Sequence, residues 1–428
     1  MSVRYRTLAE ALAYQQSAHG ATIELGLERV RAVGARLALL EKRCPVAIVG
    51  GTNGKGSTAS LLAALLRACD LRVGLFTSPH LVRYNERVQV DSLPVDDGML
   101  LRAFERIEAA RAEVSLTFFE YSTLAALDVF RDARVDAIVL EVGLGGRLDA
   151  TNIIDADVAL LCSVGFDHRD WLGDTLEQIG AEKAGIFRAG QPVVLGDAQM
   201  PDSVWQRAQA LGCPLFTAGR EFAVRIDGQA EAEASWDYQA GARSLLALPA
   251  PKLHGAIQYA NAASALTALY LLVEQPEICH ERVAQALRAV RLPGRFQIVP
   301  GEVEWILDVA HNEPAAIGLA AALRARHVGG KSIAVAGMLA DKDAAAIARA
   351  LDGVIDDWLL ASITDEPRGL SAEALRQRLP ALRAPVRQAD SVEAACALAR
   401  ERARPRDRII VLGSFHVVGP ALSWLGIY

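Results

Sequence analysis

The run Gly51-Thr52-Asn53-Gly54-Lys55-Gly56-Ser57 combines glycines, small polar side chains and one lysine. Glycines allow backbone N–H groups to approach phosphate oxygens closely. The run follows an apolar stretch at residues 46–49 and opens an Ala/Leu-rich helical stretch, so a helix dipole would favour the same anion. Lys55 would then supply positive charge to the outer phosphates of a nucleotide. The strict pattern G-x-x-x-x-G-K-[ST] is not met: Val49 stands at the first glycine position, and Gly56 separates Lys55 from Ser57. A plain glycine turn between strand and helix is the alternative. A lone lysine among glycines and small polar residues has little packing purpose, which favours phosphate binding.

Three further apolar runs each end in a polar group. Residues 73–77 lead to Ser78-Pro79-His80, residues 137–140 to Glu141, and residues 158–164 to Asp167-His168. Open α/β sheets bind ligands at the carboxyl ends of their strands. An oxygen from Ser78, a carboxylate from Glu141 and an imidazole from His168 beside the phosphate loop would suit Mg²⁺. Singly they read as a turn serine, a surface glutamate and a hydrogen-bonded histidine; together at strand ends they favour function. Lys183, in Ala181-Glu182-Lys183-Ala184-Gly185-Ile186, falls near a helix end, where lysine ordinarily compensates the dipole. Lysine occurs only at 42, 55, 183, 252, 331 and 342, so 45 basic residues less these six leave 39 arginines. In so Arg-biased a chain, a lysine is favoured where an amine is needed.

The elements that must position these groups alternate between short β-branched runs and longer helical stretches, the pattern of a parallel sheet with crossover helices. Candidate strands are residues 46–49, 73–77, 137–142, 158–163 and 192–195, with helices at 58–69, 123–131, 175–185 and 259–273. Residues 220–245 alternate polar and apolar side chains, as in an antiparallel patch. Arg291-Leu292-Pro293-Gly294-Arg295 breaks the helical pattern and is the natural boundary. Strand-helix alternation then restarts at 305–309, 332–336, 358–361 and 408–412. The expected fold is α/β with two domains. Residues 1–296 form a larger P-loop-type parallel-sheet ATPase domain, and residues 297–428 a smaller Rossmann-like α/β domain.

A length of 428 residues with 52% hydrophobic and 22% charged side chains supports packed domains and argues against disorder. A net charge of -6 offers no basic field for nucleic acid. No apolar run reaches the ~20 residues of a bilayer span. The first ten residues carry no apolar stretch of signal-peptide length. The six cysteines are scattered without a C-x-x-C pair, as expected of reduced, mostly buried thiols in a cytoplasmic protein; separately, the chain is expected to be a monomer.

These motifs resemble the folylpolyglutamate synthases, a branch of the Mur-type ATP-dependent amide ligases. The resemblance rests on the loop at 51–57, Ser78-Pro79-His80-Leu81, Glu141-Val142-Gly143-Leu144-Gly145-Gly146-Arg147-Leu148-Asp149-Ala150-Thr151-Asn152, Asp167-His168 and Glu182-Lys183-Ala184-Gly185-Ile186. It continues through Leu292-Pro293-Gly294-Arg295-Phe296, Asp308-Val309-Ala310-His311-Asn312 and Gly413-Ser414-Phe415-His416, almost the whole chain in order. Thr22-Ile23-Glu24-Leu25-Gly26-Leu27-Glu28-Arg29 and Thr117-Phe118-Phe119-Glu120-Tyr121 resemble the pterin-handling loops of the bacterial bifunctional members, which also make dihydrofolate.

The resemblance implies ATP and two Mg²⁺ ions. Asn53, Gly54, Lys55, Gly56, Ser57, Asn261, Arg295 and Asp308 would bind the nucleotide. Ser78 and Glu141 would hold one metal; Glu141, His168 and a carbamylated Lys183 the other, with Lys55, Glu141, His168 and Lys183 as the catalytic set. Glu24, Leu25, Gly26, Leu27, Thr117, Phe118, Phe119, Glu120, Leu148, Asp149 and Ala150 would contact 7,8-dihydropteroate. Physically, Phe118 and Phe119 could stack on a flat heterocycle and Glu24, Glu120 or Asp149 accept its N–H groups, although core packing explains the Phe pair about as well. The implied reaction joins L-glutamate to dihydropteroate, and to the γ-carboxylate of reduced folates, through an acyl phosphate. A folylpolyglutamate synthase alone, a small-molecule kinase and a non-catalytic nucleotide switch are the alternatives. Neither nucleic acid nor membrane is implied as a partner.

Overall fold

A computed structural model describes residues 5–20, 23–227, 235–274, 276 and 278–428. Thr22 of the N-terminal segment and residues 228–234 of the expected antiparallel patch lie outside the described residues.

The strand Val46–Gly50 (β1) is buried at every position, so it reads as an unbroken apolar run. Its side chains still divide between two faces: Val46 and Ile48 enter one core, Ala47 and Val49 the other. Around it lie Val73–Phe76 (β2), Val88–Val90 (β3), Leu93–Pro94 (β4), Ala137–Glu141 (β5), Val158–Leu161 (β6), Val193–Leu195 (β7) and Leu215–Thr217 (β8). The sheet order is β4-β3-β2-β5-β1-β6-β7-β8. It is parallel except at the edge, where β3 runs against β2 and β4 against β3. The helices Lys55–Arg67 and Ile257–Leu272 cover one face, and Phe118–Ala133 the other.

Three antiparallel strands, Phe222–Asp227 (β9), Ser235–Ala240 (β10) and Arg243–Pro249 (β11), pack Trp236 and Tyr238 against helix Ile257–Leu272. A second large sheet begins at Gln297–Val299 (β12) and continues with Glu304–Asp308 (β13), Ser332–Ala336 (β14), Asp357–Ala361 (β15), Val386–Ala389 (β16) and Arg408–Leu412 (β17). Its order is β12-β13-β17-β14-β15-β16, parallel apart from β12. It too is covered on both faces: Ile409 and Val411 of β17 enter one core, Ile410 and Leu412 another. The architecture is thus α/β, with a larger N-terminal and a smaller C-terminal parallel sheet. Among the described residues, no helix is long and apolar enough to cross a membrane.

Three helices start earlier than the sequence pattern suggests; the one expected at 259–273 begins at Ile257, and the two larger shifts lie at the site. The helix expected at 58–69 is Lys55–Arg67, because Gly54 at φ +88 caps it and the glycine loop becomes its first turn. The helix expected at 123–131 is Phe118–Ala133, so Thr117-Phe118-Phe119-Glu120 is a helix start rather than a loop. The Thr117 hydroxyl accepts from the Glu120 N–H while the Glu120 carboxylate accepts from the Thr117 N–H, a capping box.

The two sheets meet through buried polar groups. Asp167, after β6, accepts from Lys342 Nζ at 2.6 Å and from Asn312 Nδ2 at 3.1 Å, and lies 3.3 Å from His311 Nε2. Burial alone would raise its pKa, but the His311 hydrogen bond and the charges of His168, His311 and Lys342 hold it far below the usual carboxylate range. Asp167 and Lys342 side chains are only 8% and 6% exposed, so this pair is a buried one. Lys342→Met is expected to destabilise the protein by about 3 kcal/mol, the low end of breaking a buried pair, since Asp167 keeps its other partners. In a thermal-denaturation double-mutant cycle, adding Asp167→Asn should recover part of that loss; zero coupling would show that the pair does not form in solution.

Candidate active site

The glycine loop is fixed by backbone geometry before any ligand arrives. Gly51 sits at φ +143 and Gly54 at φ +88, where side-chain-bearing residues are strained. A Cβ on Gly54 would also lie 2.8 Å from Asn261 Oδ1. The exit of β6 pins the loop: Thr52 N–H donates to the Ser163 carbonyl at 2.8 Å, and Asn53 N–H to the Ser163 hydroxyl at 3.1 Å.

Two lysines converge there. Lys55 Nζ donates to the Gly51 carbonyl at 3.0 Å and the Thr52 carbonyl at 3.2 Å, and Lys183 Nζ donates to the same Gly51 carbonyl at 3.1 Å. Neither has a carboxylate within ion-pair distance among the described residues. Lys183 is 4% exposed. Burial, then the charge of Lys55, lowers its pKa to about 7.

Lys183 reaches this point because its turn docks on the Gly143–Gly146 bend. Arg147 N–H donates to the Glu182 carbonyl at 2.9 Å, and the Arg147 guanidinium pairs with the Glu182 carboxylate at 2.8 Å. A Cβ on Gly146 would lie 2.7 Å from the Lys183 carbonyl oxygen, so only glycine admits the contact.

Glu141 ends β5 and is 4% exposed, with Oε2 accepting from the Ser78 N–H at 3.0 Å. A Cβ on Gly56 would lie 3.4 Å from Glu141 Oε1, so the carboxylate faces the first turn after the loop. Burial raises its pKa despite Lys55, the Ser78 N–H, Arg295 and Arg87. His168 stands at φ +51 and is held neutral, its pKa lowered to about 4 by burial and by Lys342, His311 and Lys55, against Asp167. Among the described residues no three His, Cys, Asp or Glu side chains form a metal cluster by themselves. Of the three groups expected to hold Mg²⁺, Ser78 and Glu141 meet through the Ser78 N–H, while His168 makes no hydrogen bond to either among the described residues and lies beside Asp167.

Across the cleft, Asp308 accepts from the Phe296 N–H and the Ala310 N–H, both at 2.8 Å, and lies within electrostatic reach of Arg295, whose guanidinium packs 5.1 Å from the Phe415 ring. Asn312 was not singled out as a site residue, yet it exchanges two 3.1 Å amide hydrogen bonds with Asn53 of the loop. It also caps helix Glu313–Ala325, a signal legible as Asn before Glu-Pro. Its partner lies 259 positions away in sequence, which local reading does not reach.

The segments read as pterin loops do come together. Arg29 donates to the Glu24 carbonyl at 3.0 Å and pairs with Glu120 at 3.2 Å. Phe119 lies over the Gly143 bend, where a Cβ would meet its ring at 2.5 Å, and 5.8 Å from Phe76. The three carboxylates offered to a heterocycle are engaged within their own segments, except that Glu120 Oε1 is buried with an ion pair to Arg29 but no hydrogen bond. Glu24 accepts from Arg29 and lies 2.8 Å from His19, Glu120 closes the capping box, and Asp149 binds the Leu144 N–H, the Thr151 N–H and the Thr151 hydroxyl. Leu25, Gly26 and Leu27 are half-buried beside Glu24, Leu148 is half-buried, and Ala150 is buried in the core.

Gly185 tests how tightly the Lys183 turn is seated, because a Cβ there would lie 2.3 Å from Arg147 Cβ and 2.6 Å from Arg147 Cα. Gly185→Ala is expected to cost roughly 1–3 kcal/mol, as overpacking does, and to lower turnover through displacement of Lys183. An unchanged melting temperature with full turnover would show that the two segments are not in contact.

Residues 49–269 match the Mur ligase middle domain, and residues 294–415 the Mur ligase glutamate ligase domain. The dihydrofolate synthase/folylpolyglutamate synthase of Escherichia coli strain K12 is 42% identical over 416 residues, covering 97% of this chain and 95% of that one. The folylpolyglutamate synthase of Lacticaseibacillus casei is 34% identical over 337 residues, covering 75% and 77%. E. coli FolC in complex with DHPP and ADP superposes with a TM-score of 0.91 at 41% identity, covering 98% of both chains. A bifunctional folylpolyglutamate synthase/dihydrofolate synthase with Mn, AMPPNP and L-glutamate bound gives 0.89 at 43%, again over 98% of both. The chain therefore belongs to the Mur ligase family, in its dihydrofolate synthase/folylpolyglutamate synthase branch.

Proposed function

We propose that the chain is an ATP-dependent amide ligase that joins L-glutamate to 7,8-dihydropteroate and to the γ-carboxylate of reduced folates. The observation that carries this reading is the convergence of Lys55 and Lys183 on the Gly51 carbonyl, facing Glu141. The names and bound ligands of the relatives above support the choice of acid and amine.

A carboxylate is a poor electrophile and must be activated. Its oxygen attacks the γ-phosphorus of ATP, the bond to the bridging oxygen breaks, and ADP leaves with the electron pair. The glutamate amine then attacks the acyl phosphate, inorganic phosphate departs, and the amine sheds a proton. Lys55 and the loop N–H groups neutralise charge on the transferring group, so positioning and electrostatics carry the rate. Ser78, Glu141, His168 and a carbamylated Lys183 would hold the two Mg²⁺ ions, which supply charge neutralisation when bound. Carbamate formation needs a neutral amine, which a Lys183 pKa of about 7 makes available. Asn53, Gly54, Gly56, Ser57, Asn261, Arg295 and Asp308 would seat the nucleotide.

Residues 1–296 would hold ATP and the pterin, while residues 297–428 would close the cleft and contribute to glutamate and folate binding. Closure through Asn312 and Lys342 would exclude water that otherwise hydrolyses the acyl phosphate. The six cysteines are all free, which fits a cytoplasmic setting.

Purified protein should release ADP only when Mg²⁺, glutamate and either dihydropteroate or a reduced folate are all present, with an amide as product. Turnover with folate alone would restrict the assignment to a folylpolyglutamate synthase, and a phosphorylated metabolite in place of an amide would make it a kinase. For Lys183, ¹³C-bicarbonate should yield a carbamate carbon resonance in the wild type that disappears in Lys183→Arg. Lys183→Ala should regain part of its activity with a short carboxylic acid, whereas a fully active Lys183→Arg would refute the carbamate.

A further inference from the structure

Arg87 carries a charge that the fold buries without neutralising. It closes the 3₁₀ turn Tyr84–Arg87 and is 7% exposed. Its Nε donates to His80 Nδ1 at 2.8 Å. Its guanidinium lies 5.7 Å from the Tyr84 ring centroid and 5.4 Å from that of Phe118. Among the described residues no carboxylate stands within ion-pair distance of it. The adjacent Glu86 is committed elsewhere, accepting from the N–H groups of Leu81, Val82 and Arg83. His80 is no counter-charge either, since an imidazole is never anionic and its Nδ1 serves only as a hydrogen-bond acceptor for Arg87 Nε.

The position is as telling as the isolation. The Thr77 N–H donates to the Arg87 carbonyl at 2.9 Å, and β2 pairs with β3 through Phe76 and Val88. Arg87 therefore stands beside Ser78 at the carboxyl end of β2, within electrostatic reach of Glu141 at the end of β5. One face of its environment is Phe118, beside the Phe119 ring over Gly143. Burying an unpaired charge is costly, and two aromatic faces compensate it only in part. An aryl acid lying on the aromatic wall would bring its carboxylate to this guanidinium.

We infer that Arg87 binds the carboxylate of the acid substrate, the group that accepts the phosphoryl transfer, and orients it between the phosphate loop and Glu141. The inference rests on the ligase reading above. A guanidinium presents two parallel N–H groups to a carboxylate, which fixes direction as well as charge, so the oxygen that attacks phosphorus is the one left turned to the loop.

The test is equilibrium binding, without turnover, of 7,8-dihydropteroate and of its carboxamide analogue to the intact protein with ADP present. In the wild type the acid should bind more tightly than the amide by about 10-fold or more, as a charged hydrogen-bonded pair implies. In Arg87→Met, which keeps the buried stem, that preference should collapse to about twofold while ADP affinity is unchanged. Arg87→Lys should retain an intermediate preference, and it carries the test if the Met variant does not fold. A preference that persists undiminished in either variant overturns the assignment and leaves Arg87 as a packing cation. A wild type that binds neither compound overturns the ligase reading as well, so the two failures are told apart.

Discussion

Two ammonium groups on one carbonyl, those of Lys55 and Lys183 at Gly51, set the terms for the rest of the site. Like charges in a poorly solvated setting repel, and among the described residues no carboxylate lies within ion-pair distance of either amine, although Glu141, Asp167 and Asp149 act on them from further away. Burial, reinforced by the charge of Lys55, lowers the pKa of Lys183 to about 7. The arrangement is completed by anions: a polyphosphate over the loop and, in the proposed chemistry, a carbamate on Lys183 itself. Gly51 at φ +143 matters because its carbonyl has to point inward to hold both amines. The contacts of Thr52 and Asn53 with Ser163 and Gly165 hold the loop in that position.

The same loop is tied to the smaller sheet. Asn53 bonds Asn312, Asn312 bonds Asp167, and Asp167 bonds Lys342, so one continuous polar chain runs from the phosphate loop into the C-terminal half. His168 follows Asp167 directly, so a shift of the small domain would be felt at a proposed metal ligand within one residue. Coupling of this kind lets nucleotide binding and cleft closure favour each other without a dedicated hinge device.

The fold was legible largely because parallel sheets covered on both faces leave continuous apolar runs, and β1, β5, β6, β14 and β17 all carry that mark. Short edge strands such as Val386-Arg387-Gln388-Ala389 carry two polar residues in four and so lack that mark. Around the site, the residues at strand ends could be read because strand ends are where such sheets bind ligands. Two kinds of residue could not be read so. Thr117 and Glu120 have a local signature, T-x-x-E, but their resemblance to a substrate loop obscured their capping role. Arg87 had no signature, because one arginine among 39 is conspicuous only when its burial and missing partner are seen.

The committed carboxylates bear on how one site could accept two different acids. Glu24 and Asp149 are engaged in holding their own segments, so the buried Glu120 Oε1, which accepts no hydrogen bond, is the main carboxylate oxygen left for reading a heterocycle. A carboxylate offers about four lone-pair directions, and Asp149 already uses three. Recognition would then fall mainly on shape: a flat face beside Phe118 and Phe119, bounded by the Gly143 bend. Shape tolerates substitution on a ring better than a fixed pattern of donors and acceptors does, because a mismatched hydrogen bond leaves a buried polar group unpaired. Precision would be demanded only where the chemistry occurs, at the carboxylate that must meet the γ-phosphate in line. A site permissive about the ring and strict about the acid is what an aromatic and an aliphatic carboxylate sharing one phosphate loop would require.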